Sequence, residues 1–234
     1  MKNTGMHNPF LASLLHLADP TLPIGGYVHS NGLETYVQNG KVHSAESARE
    51  FVVNMLRNNL KYNDAAFAHL AYEAAAAGNL DELIELDQEC SALKSPREIR
   101  EASQKLGLRL MKIFKRQKSF ALSEAFENAV NNGLADAHYC IAFGLFACLL
   151  DIPAEEAMLA FYYNAASGFV TNSVKLVPLG QLDGQEIMFG LLPLLGTLAA
   201  ETLQIDRALV GLCNTGFDIR CMQHERLYSR LYMS

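Results

Sequence analysis

Residues 95–113 read SPREIREASQKLGLRLMKI, and their punctuation and spacing decide the fold class. Ser95 stands where a helix N-cap belongs, Pro96 at the first helical position and Glu98 at the third. Proline costs nothing at that first position, because its missing N–H would be unpaired there anyway. A glutamate two residues on reaches back to the cap. Behind this start, Ile99, Ser103, Leu106, Leu110 and Ile113 recur at helical spacing and form one face.

The same signals recur on both sides of this stretch. Upstream, Asn79 and Glu82 form a capping-box pattern for a helix reaching about Leu93, and a helix from about Asp64 to Ala77 stops at Gly78. Ser44 caps a helix that carries Phe51, Val52, Met55 and Leu56. A short helix runs from Asn31, its cap, to Asn39, with Glu34 three residues on and Gly40 as its end. The first helix covers Phe10 to Ala18. Between these two, residues 19–32 (DPTLPIGGYVHSNG) hold two prolines and three glycines and read as a loop. Downstream, helices are predicted at Phe120–Val130 and Ala135–Leu150. Pro153 opens a long helix, with Glu155 and Glu156 at its positive end, and Pro178 stops it. Asp183 and Glu186 precede a last apolar helix, Ile187 to Thr202, in which Pro193 introduces a kink. Strand signals are scarce, and no fixed-period repeat or biased linker divides the chain. The expectation is an all-α, single-domain bundle of about ten helices over residues 1–234.

Composition narrows the function classes. Half of the 234 residues are apolar and 19% are charged, so a chain this long buries a core without needing a disulfide or metal. A formal charge of −6 argues against nucleic acid as the main partner, and the basic run 112–118 (KIFKRQK) is too small to reverse that. Cys90, Cys140, Cys148, Cys213 and Cys221 are odd in number and none has CxxC spacing, which points to free thiols in a reducing compartment. The longest apolar run, 187–200, has 14 residues; a membrane span needs about 20. The first ten residues show no signal-peptide pattern, so a cytoplasmic protein with no membrane partner is expected. No GxxxxGK[ST] loop, strand-borne GxGxxG or GxSxG is present. Glu225 follows His224, but no second His completes HExxH.

Three segments are distinctive: 14–36 (LLHLADPTLPIGGYVHSNGLETY), 172–185 (NSVKLVPLGQLDGQ) and 218–234 (DIRCMQHERLYSRLYMS). With 97–110 (REIREASQKLGLRL) and 138–146 (HYCIAFGLF), they resemble the urease accessory protein F family, in the same order along most of the chain. That resemblance implies an all-helical homodimer that binds a second accessory protein, called D or H, and recruits a GTPase, accessory protein G. The assembly docks on apo-urease, and GTP hydrolysis by the G partner is coupled to nickel delivery. Such a protein is a scaffold or regulator, not an enzyme, and binds no cofactor stably, with nickel at most in transit. Tyr27, Lys175 and Tyr232 stand where the family more often has Phe, Arg and Phe. Lysine cannot make the bidentate contact of arginine, which weakens any role carried over to position 175.

Candidate partner-binding residues follow from these segments. Pro23, Gly25, Gly26 and Tyr27 form a turn, and His29, Ser30 and Glu34 follow it, read either as turn structure or as an interface. Lys175, Gln181, Asp183 and Gln185 flank a Pro-Gly break, read as capping and solvated loop or as a polar partner surface. Arg220, His224, Glu225, Tyr228, Arg230 and Tyr232 are rich in types that anchor interfaces, and the tail reads as a docking segment that folds on binding. The plain alternative is a last helix packed on its own bundle. Cys221 and His224, three apart on one helix face, are the weak metal candidates. The other function class is a helical enzyme with an acid–base cleft around His29, Glu34 and Lys175.

Overall fold

Helix α8 (Tyr139–Leu149) is apolar on every side, and eight of its eleven residues are buried. A helix with no polar face belongs at the centre of a bundle. The computed structural model describes residues 9–233 and places it there. Around it run α4 (Ala66–Ala76), α6 (Arg97–Gln117) and α9 (Ala154–Leu176), and α10 (Gln181–Thr202) packs antiparallel on α9. The contacts of α4 and α6 with α8 depend on glycine. A Cβ at Gly144 would lie 2.1 Å from the Ala68 carbonyl oxygen, and one at Gly107 would lie 2.0 Å from that of Ala137. Opposite Gly144, α4 presents Ala68 and Ala71, so the two backbones approach closely. Phe143 meets the Phe161 ring edge-on at 4.9 Å between centroids.

The remaining elements are α1 (Leu11–Leu17), α2 (Leu33–Gln38), α3 (Ala45–Asn54), α5 (Leu80–Leu93), α7 (Ala121–Asn131) and α11 (Thr215–His224), with short 3₁₀ turns at Gly26–Val28 and Arg207–Leu209. No strand occurs among the described residues, so the chain is all-α. One contiguous hydrophobic core runs from Leu17 to Cys221.

Several boundaries differ from the sequence reading, each for a local reason. Pro96, not Ser95, is the N-cap of α6, and no side chain caps it. Gly32, in a left-handed conformation, and not Asn31, caps α2. A side chain at Gly32 would meet Cys221 Sγ at 2.9 Å, so α2 starts where α11 lies against it. Helix α8 starts at Tyr139 because residues 135–138 form a non-helical lead-in, with Ala137 in the left-handed region at φ 60°. There the buried Asp87 carboxylate accepts from the backbone N–H groups of Asp136, Ala137 and His138. Helix α10 starts at Gln181, six residues early, with the Asp183 carboxylate accepting from Gly180 N at 2.8 Å. Pro193 lies inside it.

The largest difference is between α3 and α4. No break occurs there; a π-helical segment, Met55–Ala65, joins them into one unbroken helix. Its Asn58, Asn59 and Asn63 are weak helix formers, which hid it from the pattern. They also serve the incoming 211–214 strand of chain. Asn63 Nδ2 donates to Leu212 O at 3.2 Å, Asn214 Nδ2 donates to Asn58 O at 2.6 Å, and Gly211 N donates to Tyr62 O at 2.7 Å.

Candidate functional site

The three distinctive segments are far apart in sequence, and the fold brings them together. Asn172 Nδ2, on α9, donates to His29 O at 2.8 Å and so ties the second segment to the first. The third segment closes on the first through a buried carboxylate. Glu34 Oε1 accepts from Leu231 N at 2.7 Å, and Oε2 accepts from Tyr232 N at 3.1 Å and meets His224 Nε2 at 3.1 Å. The other imidazole nitrogen, Nδ1, lies 2.8 Å from Glu98 Oε2, and Arg230 Nη1 donates to Glu98 Oε1 at 2.6 Å. An imidazole between two carboxylates satisfies both only when both of its nitrogens carry protons. Met233 N donating to Val28 O at 2.8 Å and Gln38 Nε2 donating to Ser229 O at 3.1 Å complete this clasp.

The sequence reading expects a docking tail that folds on binding; in the single chain α11 lies on the bundle, against α2 and α6, and the arm after it is held by the clasp. His224 and Tyr232 are buried in the clasp, while Tyr228 is fully exposed and Arg230 points outward beyond its ion pair. Arg220 donates to Gln223 Oε1 at 2.7 Å, and Glu225 pairs with the exposed Arg97 at 2.7 Å. Exposed pairs of this kind add little stability.

A cleft of about 530 Å³ opens beside the clasp. Its walls come from the 19–31 loop, the π segment, the α5–α6 junction, α9 and residues 211–218. Apolar lining is supplied by Leu22, Ile24, Leu60, Ile99, Leu106 and Phe217, and polar groups by His29, Asn59, Asn164, Asn172 and Lys175. Lys94 Nζ reaches both oxygens of Asp64 at 2.8 Å on the cleft wall. That contact, opposing the effect of burial, holds the ammonium well above its ordinary range. Burial first, then the Lys105 and Arg109 charges, holds the His29 imidazolium below its ordinary value.

The structure sorts the sequence candidates. Gly25 is left-handed, with φ at 93°, and the Arg109 guanidinium lies where a Cβ would sit while donating to Ile24 O at 2.8 Å. Pro23 and Gly26 are exposed, and Tyr27 is 69% exposed. Ser30 is buried, and its hydroxyl accepts from Glu34 N. His29 and Lys175 line the cleft, but Glu34 does not, because its carboxylate is held in the clasp. The acid–base trio is thus not assembled around one space. Gln181 and Gln185 lie outward on α10, away from the cleft. Cys221 and His224 do not form a metal site as arranged: both imidazole nitrogens face carboxylates, and burial, with Asp218 and Glu98 nearby, pushes the thiol up. Among the described residues no group of three or more His, Cys, Asp or Glu is placed to hold a metal ion.

Two features escaped the sequence reading. One is the cleft wall supplied by the π segment. The other is a bare apolar face on α10, where Leu182 (78% exposed), Gln185, Phe189 (77%) and Leu192 follow at intervals of three and four. Of the apolar run 187–200, only Ile187, Leu191, Leu195, Leu198 and Ala199 are buried. No helix of the described residues is long and apolar enough to cross a membrane.

Comparison with known proteins agrees with this picture. The profile of the UreF family matches residues 42–192. The chain is 50% identical over 224 residues to the urease accessory protein UreF of Actinobacillus pleuropneumoniae serotype 5b, covering 96% of this chain and 99% of that one. It is 47% identical to the protein of that name from Haemophilus influenzae Rd, over 96% and 95% of the two chains. With that of Nostoc sp. PCC 7120 it is 32% identical over the full length of both. A match of this extent makes the chain a member of the urease accessory protein UreF family.

Proposed function

We propose that the protein is a cytoplasmic, non-catalytic scaffold for nickel insertion into urease. It works as a homodimer that binds the D/H accessory protein, recruits the GTPase accessory protein G and docks on apo-urease. Nickel is cargo passed within that assembly. The observation that carries this reading is the likeness, over nearly the whole chain, to proteins named urease accessory protein UreF. The surface is consistent with docking. Beside the clasp, Tyr27, Tyr228, Leu231 and Met233 are exposed large side chains at one end of the molecule, linked through the Met233–Val28 and Glu34 hydrogen bonds. Aromatic and Met side chains are enriched at interfaces. We assign the D/H partner to this end and the second copy to the Leu182, Phe189 and Leu192 face of α10, where an isologous pairing of two uncharged stripes brings no like charges together.

The test is co-purification with the D/H and G proteins, with nickel measured on each complex. The proposal expects a complex whose assembly is needed for nickel-loaded urease. Full urease activity at limiting nickel in a strain lacking this gene would refute it.

A further inference from the structure

Behind the cleft wall, a pair of reactive groups has no part in the proposed function. Cys90, near the end of α5, and Cys140, in the first turn of α8, place their sulfurs 3.7 Å apart, and both residues are fully buried. Lys94, the C-cap of α5, lies four residues beyond Cys90, and His138 lies two residues before Cys140. His138 is held from both sides, with Nε2 2.7 Å from Ser91 Oγ and Nδ1 3.0 Å from Ser103 Oγ. Two thiols with a cation and a fixed imidazole beside them differ from structural core cysteines, which sit among hydrocarbon alone. The cleft comes near the pair: its lining includes Leu93 and Lys94, just after Cys90, Tyr139, next to Cys140, and Ser103, which bonds His138.

We infer that Cys90 and Cys140 form a peroxide-reactive dithiol that closes reversibly to an α5–α8 disulfide. Burial disfavours ionisation of both thiols. For Cys90 the Cys140 hydrogen bond, the Lys94 ammonium and His138 outweigh it and hold that thiol below its ordinary value. For Cys140 burial and the shared hydrogen bond act together and hold it above. The roles follow. The Cys90 thiolate attacks one oxygen of hydrogen peroxide; the O–O bond breaks, leaving Cys90 as a sulfenic acid, and the departing hydroxide takes up the proton that Cys90 gave up. The Cys140 sulfur then attacks the Cys90 sulfur, the S–O bond breaks, and the hydroxyl leaves as water with the Cys140 proton. Two thiols and one peroxide give one disulfide and two waters. A small oxidant suits a site that no bulky disulfide reaches.

The experiment treats the full-length protein with stoichiometric hydrogen peroxide, quenches with catalase and maps cysteine states by mass spectrometry. Cys213 is exposed and serves as the internal reference. The inference expects a 2 Da loss, a Cys90–Cys140 cross-linked peptide restored by dithiothreitol, and cross-linking at least tenfold faster than oxidation of Cys213. In Cys140→Ser, whose fold is checked by circular dichroism, it expects a sulfenic acid on Cys90 trapped by dimedone. Oxidation of Cys213 while Cys90 and Cys140 stay as thiols would overturn it. So would an unlabelled Cys90 in a folded Cys140→Ser protein.

Discussion

Replacing Glu34 by alanine separates a clasp that holds the tail from one that merely touches it. The carboxylate serves three groups: the Leu231 and Tyr232 backbone N–H and His224 Nε2, at 2.7, 3.1 and 3.1 Å. Losing a buried acceptor costs about 1–3 kcal/mol per stranded partner. Leu231 is 69% exposed, so water replaces much of what its N–H loses, and about 1 kcal/mol is assigned there. Tyr232 and His224 are buried, and each is assigned about 2 kcal/mol. These three share one carboxylate and do not add fully, so about 3 kcal/mol is the working figure for the weakened docking. That corresponds to about a hundredfold faster opening, at about 1.4 kcal/mol per factor of ten. Native-state hydrogen exchange reads this directly. The amides of 231–233 should exchange about a hundredfold faster in Glu34→Ala, and trypsin should cut sooner at Arg226 and Arg230. Amides of α8 should keep their protection, because the core does not include the clasp. Glu34→Gln keeps one acceptor oxygen and should fall between. Unchanged exchange at 231–233, with α8 also unchanged, would refute the clasp as the tail's anchor.

Other outcomes follow from the packing and the charges. Gly144→Ala and Gly107→Ala each drive a Cβ into backbone of the facing segment and should cost about 3 kcal/mol or more in urea unfolding. Gly168→Ala, with nothing within 4 Å, should instead stabilise α9 by about 0.5–1 kcal/mol. If the proposed homodimer pairs through α10, Phe189→Glu should shift it to monomer in size-exclusion chromatography with light scattering, without altering the circular dichroism spectrum. His29 and His69 are both held, chiefly by burial, below their ordinary value of 6.5. Above that pH both are neutral folded or unfolded. Below it the unfolded chain takes up protons first, so stability falls as pH drops from 6.5 towards the folded-state values. Asp87, raised mainly by burial, acts in the opposite direction at lower pH. The double variant His29→Gln/His69→Gln should flatten the decline in urea midpoint between pH 6.5 and 5.

Much of the helical frame was legible because it rests on local chemistry. Ser44 caps α3 with a reciprocal Ser47 contact, Asn79 caps α5, and Pro153 stands at the N-cap of α9. What escaped the pattern was decided by distant chain. The π segment looked broken because its asparagines favour turns, and the contacts that residues 211–214 make with Asn58 and Asn63 come from distant chain. The exposed face of α10 was unreadable because a helix apolar all round has the same sequence whether it faces the core or a partner. Of the site, the identity of the three segments was visible, but not their meeting. Glu34 read as a first-turn carboxylate of α2; nothing local signals that its oxygens face residues 231 and 232, nearly two hundred positions away. His224 and Cys221 looked like a ligand pair because spacing says nothing of the carboxylates that occupy the imidazole.

The π segment also fixes the angular phase between two halves of one helix. In an α-helix each residue turns the chain by about 100°. Widened turns rotate less per residue, so the segment's eleven residues reset the direction in which every later side chain points. The alanine face of α4 meets Gly144 only at that setting. A single-residue deletion anywhere in 55–65 would swing that face off α8. Length variation among related chains should therefore avoid this stretch.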